Sequence, residues 1–330
     1  MTRGPLPLLF FVGLSVSRLV FAIQTVDALA IQIGLFYGFI LLGYVVARLS
    51  GKGKIVNKHL NSFLINVLVP LLVFYVLLTS APSSLVEIPV FLVIAVLIHI
   101  LGPVLIFLRL RKSEMRIQTR GSLYICSTFN NALFVPLPLV LIFLGPSGVP
   151  FVVLFSLTQM ILFVTLGSVM GARFSEKDAG WNKVARDALL FPPFLAALLA
   201  LILLAAGIGL PDLVSSVLSY NSTVATYLAL LSVGLGVGIR FSLADVRTAL
   251  NVVAARQLII PLITFPILLV SGLSQIPFQV LLLESLMPPA IFAVVYASGF
   301  GLDVETAATT VTVGTLLLLP LIPFLTLILG

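Results

Sequence analysis

The sequence predicts an all-α integral membrane protein, and three observations support this fold class. Of the 330 residues, 60% are hydrophobic and only 9% are charged, whereas about a quarter of the residues in a soluble domain are charged. Apolar stretches of the length that a helix needs to cross a bilayer, about 20 residues, recur along the whole chain. Fifteen of the 18 basic residues lie in or beside alternate loops between these stretches. A lipid bilayer is the solvent that suits such a chain.

Ten transmembrane helices are expected. Their predicted positions are residues 30–49, 59–79, 86–109, 120–144, 149–171, 188–208, 221–239, 249–271, 278–299 and 305–329. An outer-membrane barrel is excluded, because its strands would show short segments of alternating hydrophobicity.

The basic residues predict the orientation of these helices. They cluster around the loops at 50–58, 110–120, 172–187 and 240–248, and the loops on the opposite side contain none. Cytoplasmic loops of membrane proteins are enriched in Lys and Arg. The four basic loops are therefore expected in the cytoplasm, in a multi-pass protein of the cell membrane. The net charge of +7 is explained by this topology, and no nucleic-acid partner is expected.

Residues 1–29 form a separate N-terminal apolar segment, and two interpretations of it stay open. Residues 6–23 follow a basic Arg3 and have the character of a cleaved signal peptide, with Val20 and Ala22 as small residues before the cut. The same residues are equally suited to an extra helix that is retained.

The ten predicted helices divide into two halves, residues 30–171 and 188–330, joined by the loop 172–187. Each half has five helices, and an odd number means that the second half enters the membrane in the opposite orientation. Secondary transporters are often built from such inverted repeats, with interrupted helices that meet near the bilayer midplane.

The fourth helix of each half contains a proline-rich interruption. The residues in the first half are Asn130, Asn131, Pro136 and Pro138, and those in the second half are Glu284, Pro288 and Pro289. Proline removes an amide donor and clashes with the preceding turn, so Pro70 and Pro261 are also expected to break their helices. Each interruption alone is consistent with an ordinary proline kink. Their matching positions favour two breaks that face each other inside the protein.

Five short motifs, in order along the chain, resemble the auxin efflux carrier family, whose members include plant carriers and bacterial organic-acid carriers. The motifs are Asn66–Pro70, Asn131–Pro138, Leu230–Gly238, Arg256 with Pro261, and Leu286–Pro288. The resemblance implies ten helices in two inverted five-helix repeats, in a fold like that of sodium/proton antiporters and bile-acid symporters. It also implies that helices four and nine cross at the substrate site, with Asn131 as a substrate contact and Pro288 as a crossover residue.

The sequence departs from the plant members of that family at several positions. Asn130 stands where plant members have a proline, and Pro136 stands where the family has a glycine. The loop between the halves is short, as in bacterial members. Specificity for auxin is therefore not carried over from the resemblance.

Three ionisable residues lie within predicted spans, where such groups are functional candidates by default. Glu284 lies one turn before Pro288, and a carboxylate there can bind a proton or sodium ion for coupling. An ion pair with Arg256 is the structural alternative. Arg256 is otherwise expected to extend its side chain to the membrane interface. His99 is expected to be a buried histidine that bonds a neighbouring helix.

The function expected from these features is secondary transport of a small organic anion, either an auxin-like indole acid or a dicarboxylate such as malate. Asn130, Asn131, Pro288 and Pro289 are the predicted substrate-binding residues, Glu284 is the predicted coupling residue, and Arg256 is a possible charge partner. A homodimer is expected, and no cofactor or metal site. The alternatives are an uncoupled facilitator or channel, an intramembrane enzyme and a sensor, but no catalytic residue set or soluble domain favours the last two.

Overall fold

The computed structural model describes residues 30–79, 87–175, 190–238 and 244–325, together with residues 186, 242 and 329. The N-terminal segment 1–29, for which a signal peptide or an extra helix was predicted, lies outside the described residues. Most of the predicted connecting loop 172–187 and Arg240 also lie outside them.

The described residues form helices, two of which are interrupted. The helices are α1 (Ala30–Leu49), α2 (Gly53–Thr79), α3 (Ile88–Leu110), α4a (Ile117–Thr128), α4b (Pro136–Phe143), α5 (Pro146–Phe174), α6 (Pro192–Ala205), α7 (Asp212–Gly238), α8 (Val246–Val270), α9a (Gln275–Ser285), α9b (Phe292–Phe300) and α10 (Val304–Leu325).

Six of these helices, α1, α2, α3, α5, α8 and α10, are long and apolar enough to cross a membrane. Helix α6 has 14 residues, and the interruptions leave α4a, α4b, α9a and α9b shorter still. The prediction of a helical membrane protein is therefore confirmed. The count of ten transmembrane helices, the inverted relation between the two halves, and the side of the membrane that each loop faces stay predictions.

Several helix boundaries differ from the predicted ones. Helix α2 begins at Gly53, so Lys54 and Lys58 lie in its first turns rather than in the predicted loop 50–58. Helix α7 begins at Asp212, so most of the predicted loop 209–220 is helical. Both differences have one cause: hydropathy locates the apolar part of a helix and misses polar turns that extend it beyond the hydrocarbon.

The breaks predicted at Pro70 and Pro261 are not found, because α2 and α8 continue through both prolines. A π-helical turn precedes each one, at Leu64–Leu68 and at Ala255–Ile259. A proline ring clashes with the carbonyl four residues earlier, and in both helices that carbonyl lies in the wider π turn. The π turn therefore accommodates the proline without ending the helix.

The helices pack as two groups. The four-helix group consists of α1, α2, α6 and α7, in which α2 packs against α6 and α7. A Cβ added to Gly43 of α1 or to Gly234 of α7 would collide with the backbone of the other helix, so these glycines allow α1 and α7 to touch. The six-helix group consists of α3, α4, α5, α8, α9 and α10, and both interrupted helices lie within it.

Candidate functional site

The two interruptions lie side by side in the interior of the six-helix group. The first break is residues 129–135, between α4a and α4b, and the second break is residues 286–291, between α9a and α9b. Asn130 and Pro289 form an antiparallel β-bridge. The Asn131 N–H donates to Pro288 O at 2.8 Å, and the Ala290 N–H donates to Phe129 O at 2.9 Å. Each break thus supplies hydrogen bonds that the other lost when its helix ended.

Local chemistry explains where the helices end and begin. A residue before proline avoids the α conformation, which disfavours helix at Met287, before the Pro288-Pro289 pair. Pro136 occupies the first position of α4b, where proline's fixed φ suits a helix start and its missing N–H is not needed. The Asn131 Oδ1 accepts from the Phe134 N–H at 3.1 Å just before this helix.

The carboxylate predicted for coupling lies against the first break. Glu284, in the last turn of α9a, is fully buried. The Asn130 side-chain amide donates to Glu284 Oε2 at 2.9 Å and to Glu284 O at 3.0 Å. The remaining oxygens, Glu284 Oε1 and Asn130 Oδ1, have no hydrogen-bond partner among the described residues. Two of the predicted site residues are therefore in direct contact and still have acceptor capacity.

The side-chain amide of Gln159, in α5, bonds the backbone of Asn130 as a neighbouring peptide group would. Its Oε1 accepts from the Asn130 N–H at 3.0 Å, and its Nε2 donates to Asn130 O at 2.8 Å. Gln159 was not among the site residues predicted from the sequence. Its pairing with the break was missed, because no sequence pattern shows which backbone a glutamine side chain meets.

His99 of α3 lies behind Gln159 and is fully buried. Its Nε2 lies 2.9 Å from Gln159 Oε1, and its Nδ1 lies 2.6 Å from Ala95 O. The expectation of a buried histidine bonded to a neighbouring helix is confirmed.

Two adjacent residues in the π turn of α8 bond the ends of the interrupted helices. The Arg256 Nη1 donates to the carbonyls of Ile98, Ser127 and Thr128 at 3.3–3.4 Å. The Gln257 Nε2 donates to Leu286 O at 3.4 Å. The last carbonyls of a helix lack partners within it and carry a partial negative charge, so a guanidinium at the end of α4a is electrostatically favourable.

The interpretation of Arg256 as a residue that extends to the membrane interface is wrong, since its side chain is fully buried. No ion pair joins it to Glu284 within 4.0 Å; among the described residues such a pair is found between Arg116 and Asp303. The Arg256 Nε and Nη2 have no hydrogen-bond partner in the described part of the chain. A buried cation thus keeps two donors free close to the crossing.

Helix α10 packs against the predicted residues Pro288 and Pro289. A Cβ added to Gly314 would lie 2.7 Å from Pro289 Cδ and 3.2 Å from Pro288 Cβ. Glycine at this position therefore allows α10 to pack directly on the second break.

A cavity of about 170 Å³ lies at the boundary between the two helix groups. It is bounded by α1, α7 and α4b, and its walls are mostly apolar with a few hydroxyl and amide groups. The lining residues are Gln32, Phe36, Pro138, Leu141, Ile142, Thr223, Thr226, Tyr227 and Leu230. It adjoins α4b, the helix that follows the first break.

Comparison with known proteins finds a matching family and similar transporters. A family model described as membrane transport protein matches residues 37–326. An uncharacterized transporter of Methanothermobacter thermautotrophicus is 27% identical over 284 residues, which is 86% of this chain and 93% of the relative. An uncharacterized transporter of Methanocaldococcus jannaschii is 25% identical over 266 residues, which is 78% of this chain and 85% of the relative. The resemblance to auxin efflux carriers is thereby confirmed, and the chain belongs to the membrane transport protein family.

Proposed function

We propose that the protein is a secondary transporter that exports or exchanges a small organic anion by alternating access, with a proton or sodium ion bound at Glu284. One observation supports this proposal most strongly: the two breaks meet inside the protein beside Arg256, Glu284 and Asn130, which all keep unpartnered polar atoms. A buried polar atom without a partner costs about 1–3 kcal/mol. Such a cost is expected where a ligand supplies the missing partner during the working cycle.

The site is suited to binding that is reversible. Amide groups of the unwound backbone and of Asn131 hold a carboxylate without a full countercharge. The Arg256 guanidinium adds attraction for an anion. Pro288 and Pro289 keep the second break open, because their rings prevent the helix from re-forming across it.

The division into two helix groups supports alternating access. The site lies within the six-helix group, and the cavity beside α4b lies where this group meets the four-helix group. A displacement of one group against the other would open the site to one side of the membrane and then to the other.

An uncoupled facilitator is the second candidate, and Glu284 distinguishes the two. The family and the names of the relatives indicate a membrane transporter rather than an enzyme. Glu284→Gln keeps the size of the side chain and removes its charge. In a coupled carrier, this variant in proteoliposomes should lose the dependence of transport on pH or sodium while exchange continues. Ion dependence equal to that of the parent protein would exclude Glu284 as the coupling residue.

A further inference from the structure

The imidazole of His99, in α3, lies between two oxygen atoms that can only accept hydrogen bonds. Its Nδ1 lies 2.6 Å from Ala95 O, and its Nε2 lies 2.9 Å from Gln159 Oε1. A neutral imidazole carries a proton on one ring nitrogen and a lone pair on the other, whereas an imidazolium donates from both nitrogens. A neutral ring can therefore satisfy one of these two contacts, and a protonated ring satisfies both.

The orientation of the Gln159 amide is fixed by the backbone of Asn130. The Asn130 N–H, which can only donate, lies 3.0 Å from Gln159 Oε1. The Asn130 carbonyl, which can only accept, lies 2.8 Å from Gln159 Nε2. A half-turn of the amide would place donor against donor and acceptor against acceptor, so both bonds would be lost. Gln159 therefore presents its oxygen to His99 for as long as it is paired with the first break.

The charged groups nearest to His99 in the described part of the chain come from α8 and α9a. Arg256 of α8 donates to the carbonyl of the residue before His99 at 3.4 Å, so its charge opposes a second cation. Glu284 of α9a is linked to the imidazole through the two amide side chains between them, and its carboxylate, when ionised, favours a cation. The first break and α5 contribute the rings of Phe129 and Phe155, whose centroids lie 6.2 Å and 5.0 Å from that of the imidazole. The Phe155 ring is close enough to attract a cation.

Protonation of His99 and pairing of the first break therefore depend on each other. Burial disfavours a charged ring, but two acceptors are in place for its two N–H groups while Gln159 is paired with Asn130. A neutral ring would turn a lone pair toward Gln159 Oε1, and the two acceptors would repel each other. The neutral ring suits a state in which Gln159 has left the backbone of Asn130.

We propose that His99 is a proton-binding site of the carrier, separate from Glu284, and that its proton keeps Gln159 paired with the first break. The described conformation takes up this proton, and a conformation in which the break leaves α5 releases it. The positive charge behind the break also favours an anion at the crossing. This inference goes beyond the function proposed above: it requires no particular cargo and leaves the coupling role with Glu284.

Nuclear magnetic resonance of the ring nitrogens tests this proposal directly, because the chain contains 2 histidines. The other one, His59, is exposed, and the His59→Gln variant leaves His99 as the single ring to carry isotope-labelled nitrogen. The two nitrogens of a doubly protonated ring have similar chemical shifts, whereas those of a neutral ring differ widely. The purified full-length protein is measured over the pH range in which circular dichroism shows that it is folded.

His99 should be doubly protonated in the lower part of that range and should lose one proton as pH rises. Gln159→Leu removes the oxygen that faces Nε2. It should lower the proton affinity of His99 on the order of tenfold, as for the loss of a charge-assisted hydrogen bond. Gln257→Leu is the matched control, because Gln257 bonds Leu286 O at the second break, and it should leave the titration of His99 unchanged. Gln159→Met keeps the length of the side chain and replaces Gln159→Leu if that variant does not fold.

Two results would overturn the proposal. One is a His99 ring that stays neutral over the whole pH range, a measurement that needs no change at Gln159. The other is a titration that is the same with and without the Gln159 amide. Either result leaves the proposed function intact, because coupling at Glu284 is measured by transport in proteoliposomes. Conversely, ion dependence that survives Glu284→Gln would remove the coupling role of Glu284 and leave the result for His99 unchanged.

Discussion

The two breaks lie against each other, yet they replace their lost helical hydrogen bonds in different ways. At the first break, side chains of other helices form hydrogen bonds with the backbone. Gln159 pairs with the backbone N–H and C=O of Asn130, and Arg256 donates to the carbonyls that end α4a. At the second break, Pro288 and Pro289 have no N–H groups, and a 3.4 Å hydrogen bond from Gln257 reaches Leu286 O. The first break obtains hydrogen-bond partners from other helices, whereas the second break has fewer backbone N–H groups that need a partner.

The first break thus depends on its surroundings, whereas the second depends on its own sequence. Variants of α5 and α8 should therefore disturb the first break most, and replacement of prolines should disturb the second. Three sets of variants test this difference, and they are given in order of decreasing expected effect; a fourth variant concerns a contact remote from both breaks.

Arg256→Met should nearly abolish transport while leaving thermal stability close to that of the parent. The variant removes the free edge that attracts an anion, and we expect transport to fall on the order of a hundredfold, as for loss of a charged hydrogen-bonding group. Stability changes less, because the lost bonds to Ser127 and Thr128 are offset by removal of a costly buried charge. Transport in proteoliposomes and unfolding in one detergent provide the two measurements.

Arg247→Met is the matched control for this variant, since Arg247 is an exposed residue near the start of the same helix. It should transport like the parent. If Arg256→Met instead unfolds far more easily and retains transport per folded molecule, Arg256 is a structural residue only.

Gln159→Leu and Gln257→Leu should separate the two breaks in stability. The first variant leaves the buried N–H and C=O of Asn130 without their partners, at a cost of about 2 kcal/mol. The second removes one long hydrogen bond and should cost about 0.5 kcal/mol. The unfolding midpoints of both variants, measured under the same conditions, should differ in this order. Equal midpoints would show that the first break does not rely on α5.

Pro288→Ala should slow transport with little change in substrate affinity. Alanine restores an N–H donor and favours helix, so α9a can extend into the second break. The slower cycle would appear as a lower maximal rate in proteoliposomes at an unchanged half-saturating concentration. The Pro266→Ala variant is a control, because Pro266 lies inside α8 beyond the π turn. A Pro288→Ala protein with an unaltered rate would show that the proline is not needed to hold the break open.

Asp303 lies far from both breaks, and Asp303→Asn should lower the thermal stability slightly, by an amount that depends on pH. Burial acts to raise the pKa of Asp303, but hydrogen bonds from Thr119 and Thr306 and the Arg116 charge outweigh it and lower this pKa below its ordinary value. A lowered pKa in the folded state adds stability above the pKa of the unfolded chain, and this stability is lost as pH falls through the folded value. The parent should therefore unfold at a higher temperature than Asp303→Asn at pH 7, and the gap should close in acid. A gap that widens toward low pH contradicts this assignment.

The sequence predicted both breaks but could not identify what holds them. Pro136, Pro288 and Pro289 located the interruptions, because proline acts on the backbone near its own position. The same rule was wrong at Pro70 and Pro261, where a π turn upstream absorbs the clash. Whether a helix breaks at proline depends on how the preceding turn packs, and that information lies in other helices.

Only part of the candidate site could be predicted, because contacts between distant helices again leave no pattern in the sequence. Asn130 and Glu284 were chosen for their type and their nearness to prolines, and the structure brings them into contact. Of the alternatives for Arg256, the interface was wrong, because a long basic side chain near a helix start has two destinations, the interface or the interior, and only the neighbouring carbonyls decide between them. Gln159 and Gln257 act through backbone atoms of distant helices, which leave no signal in the sequence.

Substrate binding to Asn131→Ala is the sharpest test of whether the paired breaks form the substrate site. Asn131 lies in the first break, bonded through its backbone to Pro288. Equilibrium binding of a transported substrate should be measured on the purified parent and the variant, with circular dichroism as the folding control. If the paired breaks form the site, the variant should stay helical and folded, and its dissociation constant should rise on the order of tenfold, as for one lost hydrogen bond. A folded variant that binds and transports like the parent would contradict this expectation and place the substrate site elsewhere.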